Sequence, residues 1–166
     1  MKRKPLLKIL LIAFISLQLI ACHEEEDGIF FENSYELKTT YSTLETEDLK
    51  QLNKYRMSKN LSVLEKLDII SSVACSHSTY MSENLIVNHD NFPERNSYLI
   101  NEENAEVVGE NVAYGFGTAK GVVNAWLNST KHKAIIENDN YTNFGLSIER
   151  DSKGQNYFTL LCIKKN

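Results

Sequence analysis

The chain has 166 residues and a net charge of −4 at pH 7, with 42% hydrophobic residues and only three cysteines. The length suits one compact domain, and the few cysteines exclude a disulfide-built scaffold. The acidic balance argues against nucleic-acid binding, which needs a lysine and arginine surplus to neutralise phosphates.

The first element in chain order is a targeting segment. Met1-Lys2-Arg3-Lys4 is basic, residues 6–20 are almost entirely apolar, and Leu19-Ile20-Ala21-Cys22 closes the run. This is the n-region and h-region of a secretory signal, ended by a stretch that resembles a bacterial lipobox, whose cysteine is lipidated and becomes the mature N-terminus. The run is short for a bilayer span, which takes about 20 residues. An ordinary signal peptide and an uncleaved anchor helix are the alternatives. The expected organisation is a signal peptide over 1–21, lipidated Cys22 with an acidic tether over 22–44, and a domain over 45–166. Residues 1–21 hold four cations and no acid, so the mature chain has a net charge of −8. Acyl chains on Cys22 make the membrane a partner and place the domain in the bacterial cell envelope, outside the cytoplasm, at the outer membrane or cell surface. The acids of His23-Glu24-Glu25-Glu26-Asp27-Gly28 repel one another and form a solvated tether, similar to surface-export signals of some Gram-negative lipoproteins. Ile29-Phe30-Phe31 has the character to dock on the domain.

The spacing of Leu49 and Leu52, with Tyr55 close by, predicts a helix over 47–59 ended by Asn60. A second helix is predicted over 65–82, with Ile70, Ala74, His77 and Met81 on one stripe. Pro93 can open a short helix. Val107-Val108 suggests a strand, and Gly109-Glu110-Asn111-Val112-Ala113-Tyr114-Gly115 reads as a glycine-flanked loop that follows it. Thr118 can cap a helix over 119–128, and a short helical turn then carries His132. Phe144, Leu146 and Ile148 alternate as a strand, Asp151-Ser152-Lys153-Gly154 turns, and 157–163 forms an apolar strand expected at the sheet centre. Helices flanking a small sheet are the natural layering.

Four polar groups carry the chemical interest. His89 opens a loop, as a hydrogen-bond partner or as one arm of a metal or proton-transfer site. Glu110 can brace backbone N–H groups or orient a histidine by taking its ring proton. His132 is a third candidate, and His77 on its apolar stripe reads as a core residue or a ligand. His89, Glu110 and His132 are the residue types of a zinc or other divalent-cation site, though without a closely spaced ligand pair. Gly109, Asn111 and Gly115 are read as the structural loop around Glu110. His77 and Ser78 are adjacent on a helix and cannot form a nucleophile–base pair. Cys75 and Cys162 are either bridged or two free thiols.

Several motifs in order give the chain a resemblance to the CAP superfamily (cysteine-rich secretory proteins, antigen 5 and pathogenesis-related proteins), in its bacterial single-domain branch. They are Leu52-Asn53-Lys54-Tyr55-Arg56, Ala74-x-x-His77-Ser78-x-x-Met81, His89-x-x-Phe92-x-x-Arg95, Gly109-Glu110-Asn111-Val112-Ala113, Trp126-x-x-Ser129-x-x-His132 and Tyr141-x-x-x-Gly145. The resemblance implies an α+β fold, a three-layer α-β-α sandwich with a small, mostly antiparallel central sheet. It also implies a shallow cavity lined by two histidines and two glutamates that binds divalent metal in some members. His89 and Glu110 match the first pair; Ser129 and Tyr157 stand where the second glutamate and histidine are expected. His132 and His77 are the residues available near the same cavity. The resulting expectation is a membrane-tethered extracytoplasmic binding or interaction domain for a small-molecule, lipid or protein ligand. The alternatives are a cell-envelope hydrolase or protease, for which no activated nucleophile can be named, and a purely structural or host-interaction lipoprotein.

Overall fold

The computed structural model of the chain describes residues 35–165. The signal segment, Cys22, the acidic tether and Ile29-Phe30-Phe31 lie outside the described residues. The elements in order are α1 (Thr43–Ser58), β1 (Glu65–Lys66), α2 (Asp68–Asn84), α3 (Phe92–Glu103), β2 (Ala105–Tyr114), α4 (Ala119–Asn128), α5 (Thr130–Ile136), β3 (Asn143–Arg150) and β4 (Asn156–Lys165). No helix among them is long and apolar enough to cross a membrane.

The sheet order is β1-β3-β4-β2. β4 runs antiparallel to both neighbours, and the two-residue β1 is parallel to β3. β4 is central, as its apolar run predicts, and its residues 156–163 are all buried. The pleat sends Phe158, Leu160 and Cys162 to one face, where they meet Leu49 and Leu52 of α1, Val122 and Trp126 of α4, and Ile136 of α5. Leu161 and Ile163 point the other way, into Ile70, Val73 and Ala74 of α2 and Leu99 of α3. Two helical layers therefore clamp one sheet, an α+β sandwich. Residues 33–166 form one compact unit that holds both cores, and hence a self-sufficient folding unit.

Cys162 faces the α1 layer while Cys75 rides on α2 against the opposite face, and both thiols are free. Burial pushes the Cys162 thiol up to about 12, so it is inert.

Two boundaries differ from the sequence periodicity. α1 starts earlier because Ser42 and Glu45 form a capping box: Ser42 Oγ accepts the Glu45 N–H at 3.2 Å, and Glu45 Oε2 accepts the Ser42 N–H at 2.7 Å. α2 starts later because Glu65 and Lys66 pair with Asn143 and Phe144 as a sheet edge. Its stripe of Ile70, Ala74, His77 and Met81 is buried as the spacing predicts. Thr118 caps α4 by accepting the Gly121 N–H at 3.1 Å, and Trp126 is a core anchor whose indole N–H donates to the Val112 carbonyl.

The chain enters the domain along α2. Tyr35 sets its ring edge-on to Tyr98 at 4.6 Å, the Lys38 N–H donates to Ser72 Oγ at 2.7 Å, and the Tyr41 hydroxyl donates to Asp68 at 2.9 Å.

Candidate functional site at the edge strand

β2 is the edge strand on the side away from β1. Glu110 pairs with Leu161 and so points toward the α2–α3 layer, whereas Asn111 pairs with Leu160 and points toward α5. Glu110 is 5% exposed, and a buried carboxylate must be matched by charge and hydrogen bonds. Arg95, in the first turns of α3 and also buried, supplies both: Nε donates to Oε2 at 2.8 Å and Nη2 to Oε1 at 2.9 Å. Its Nη1 donates to the Asp90 carbonyl at 2.7 Å and so ties down the preceding loop.

His89 completes the group, with Nδ1 2.8 Å from Glu110 Oε1. Its side chain is 51% exposed while that of Glu110 is 2% exposed. In the neutral ring the carboxylate keeps the proton on Nδ1 and leaves Nε2 as an acceptor. His77 lies beneath, 2% exposed, its Nε2–H donating to the Asn88 carbonyl at 2.9 Å and its Nδ1 without a partner. Burial pushes the His77 pKa down against the hydrogen bond to Asn88, while the charges of Arg95 and Glu110 act in opposite directions. His132 on α5 is also held below its ordinary value, by burial first and then by the charge of His89. The structure thus puts His89 and Glu110 in direct contact, and sets His77 and His132 within electrostatic reach of His89.

The glycine-flanked segment is not a loop. Gly109 and Asn111 lie inside β2, paired with Cys162 and Leu160, and only Gly115, at φ +79°, turns the chain. The two polar residues, Glu110 and Asn111, hid the alternation of a strand buried on both faces. Gly109 is required for close approach, since a Cβ there would overlap the Tyr141 hydroxyl. Asn111 is fully buried; its amide donates to the His132 carbonyl at 3.0 Å, and its Oδ1 has no partner.

The structure brings His89 to Glu110 but does not gather His89, Glu110 and His132 into one ligand cluster. No group of three or more His, Cys, Asp or Glu side chains among the described residues is placed to hold an ion. Arg95 and His89 make three hydrogen bonds to the Glu110 oxygens, so a cation there would compete with a guanidinium for the carboxylate. The hydroxyl of Ser78 is buried, donates to the Ser147 carbonyl and accepts from the Thr159 hydroxyl, and Tyr157 belongs to a small core with Met81 and Val112.

The sequence reading gave no role to Arg95 or to Leu85. Arg95 follows Phe92 by three residues on one face of α3, a spacing that aims a cation at the strand beyond. Leu85 closes α2 in the left-handed conformation, φ +54° and ψ +40°, which costs an aliphatic residue roughly 1–2 kcal/mol. A separate groove of about 300 Å³ lies between α1 and β1, floored by Leu49, Leu64 and Phe144. The polar groups at its rim are engaged with one another, Asn53 with the Leu64 backbone and Lys66 with Asp68.

The model of the cysteine-rich secretory protein family, CAP, matches residues 49–163. The chain belongs to the CAP family. This CAP chain is 31% identical over 124 residues to an uncharacterized membrane protein, YlbC, of Bacillus subtilis (strain 168); the match takes in 72% of the chain and 36% of that relative's length. Among solved structures it is similar to an outer surface protein from Borrelia burgdorferi, with a TM-score of 0.67 and 23% identity over 79% of the chain and all of that one. The crystal structure of NaASP2 with Zn2+ shares the fold, with a TM-score of 0.53 and 10% identity over 75% of the chain and 82% of that one. The zinc belongs to that structure; among its described residues, the CAP domain described here lacks a ligand cluster for it.

Proposed function

We propose that this CAP chain is a membrane-tethered, extracytoplasmic binding domain, and that the rim of β2 around His89 is its recognition site. The Arg95–Glu110–His89 relay carries the reading. Two buried charges hold one exposed imidazole in a single orientation, and a fixed acceptor loses little conformational freedom when a ligand arrives. Among the described residues no serine, threonine or cysteine side chain hydrogen-bonds the His89 ring, which favours binding over nucleophilic hydrolysis. A divalent cation is not required, because Arg95 supplies the positive charge next to Glu110. The tether rests on the lipobox at Cys22, in keeping with a relative described as a membrane protein and a fold neighbour described as an outer surface protein.

Two experiments test this. In the first, isotopically labelled residues 33–166 are screened by NMR against short peptides, sugars and acyl chains. Hits are expected to shift the His89 ring and to vanish in His89→Ala. Hits that ignore His89→Ala, or substrate turnover that depends on His89, would overturn the binding reading. In the second, cells fed radiolabelled palmitate are expected to label the wild-type chain but not Cys22→Ser; equal labelling rejects the anchor.

A further inference from the structure

Leu85, Ile86 and Val87 are 53%, 41% and 45% exposed, three successive aliphatic side chains in water just upstream of His89. Single apolar residues on a surface are ordinary, but a run of three marks a contact surface. The backbone adds a second, independent sign. Among the described residues, the non-glycine residues with positive φ are Asn60, Leu85, Asn91 and Asn104. Asparagine tolerates that conformation, so three of the four follow backbone preference and Leu85 does not. The left-handed backbone closes α2, with the Leu85 N–H on the Met81 carbonyl, but asparagine or glycine would serve that cap, so the exposed aliphatic side chain points to a use outside the fold.

The rim is also fixed in place. The Asn88 carbonyl accepts from His77, the Asn88 amide and Tyr80 hydroxyl both donate to the Asp90 carboxylate, and Arg95 holds the Asp90 carbonyl. The chain segment that carries the rim has charge of one sign. The chain carries no lysine or arginine between Lys66 and Arg95, and Glu83, Asp90 and Glu94 are exposed within seven residues of the triplet. The charge of Arg95 itself is taken up by Glu110.

We infer that the Leu85-Ile86-Val87 rim docks a polypeptide segment carrying aliphatic or aromatic residues beside lysine or arginine. The inference rests on the binding-domain reading and names the class of partner. The apolar triplet supplies the desolvated contact and the acids select for cations. The same acids repel an anionic bilayer.

The test uses residues 33–166 and the fluorescence anisotropy of two labelled peptides, one alternating leucine with lysine and one alternating leucine with glutamate, alongside phosphatidylcholine vesicles. The lysine peptide is expected to bind at least about tenfold more tightly than its glutamate twin. The double variant Ile86→Ser/Val87→Ser should weaken it by at least about tenfold with the circular dichroism melt unchanged. Glu83→Gln/Glu94→Gln should weaken it as well, and more at low salt than at high salt. Equal binding of both peptides, binding indifferent to the serine variant, no binding at ~1 mM peptide, or binding to vesicles alone would each overturn the inference. Ligands that shift His89 while the lysine peptide fails would remove the rim and leave the His89 site. Peptide binding indifferent to His89→Ala, with no His89-directed ligand found, would do the reverse.

Discussion

The Arg95 guanidinium grips the Glu110 carboxylate through hydrogen bonds of 2.8 and 2.9 Å, with both residues buried. This ion pair is the electrostatic centre of the edge-strand site, and His89 is its one exposed member. Arg95→Met strands the Glu110 charge in a dry setting and should cost about 3–5 kcal/mol in urea unfolding of residues 33–166. Arg95→Met/Glu110→Leu removes both charges and should recover most of that loss. A single variant within about 1 kcal/mol of wild type would show that the pair is not coupled to folding.

Asp48 should make stability depend on pH. It is 0% exposed, neither carboxyl oxygen has a partner, and the α4 and sheet residues of the core against α1 are apolar. Burial, with the charges of Glu47 and Glu45, pushes its carboxyl up to about 7. A raised folded-state value means that the stabilised form is the protonated one. Stability is therefore full below the unfolded value near 4, and declines as pH rises through about 7. Asp48→Asn should be more stable than wild type at pH 8 by up to ~4 kcal/mol and close to it at pH 4. His77 acts with the opposite sign, since a lowered histidine value removes stability as pH falls below about 6.5. Parallel pH profiles for Asp48→Asn and wild type would remove Asp48 as the cause.

Zinc should leave the domain unchanged. With Arg95 and His89 competing for Glu110 through three hydrogen bonds and no ligand cluster among the described residues, saturating zinc at pH 7.5 should move the melting temperature by less than about 1 °C. A larger rise that disappears in His89→Ala would establish a metal site formed by rearrangement.

Leu85→Gly should stabilise the domain by roughly 0.5–1 kcal/mol, because glycine accepts the left-handed cap without strain. Chemical denaturation measures it. A loss of stability would show that the Leu85 side chain packs for the fold rather than for a partner.

Sandwich architecture was readable because its signals are periodic: the buried stripe of α2, the Thr118 cap and the unbroken apolar run of β4 each map onto one element. The Glu110–His89 contact was readable only through motif order, since 21 residues separate the two and no local pattern joins them. The loop expected around Glu110 proved to be a strand because a buried ion pair places polar residues where an apolar alternation would otherwise announce one. Arg95 was missed for a related reason. A cation on an amphipathic helix ordinarily faces solvent, and only the tertiary fold reveals that this one points inward. The residue types of a zinc site were readable, but nothing in their spacing showed that Arg95 shares the Glu110 carboxylate with His89 or that His132 stays outside the cluster.

The path of residues 35–41 along α2 also fixes how the domain bears a load. A pull applied at the N-terminal end first meets the Tyr35–Tyr98 ring contact, then the Lys38–Ser72 hydrogen bond, then Tyr41 on Asp68. Lys38 also pairs with Glu45 of α1 at 3.2 Å, and Glu45 accepts the Ile148 N–H of β3, so a load would pass at the second contact from the leader into α1 and the sheet together.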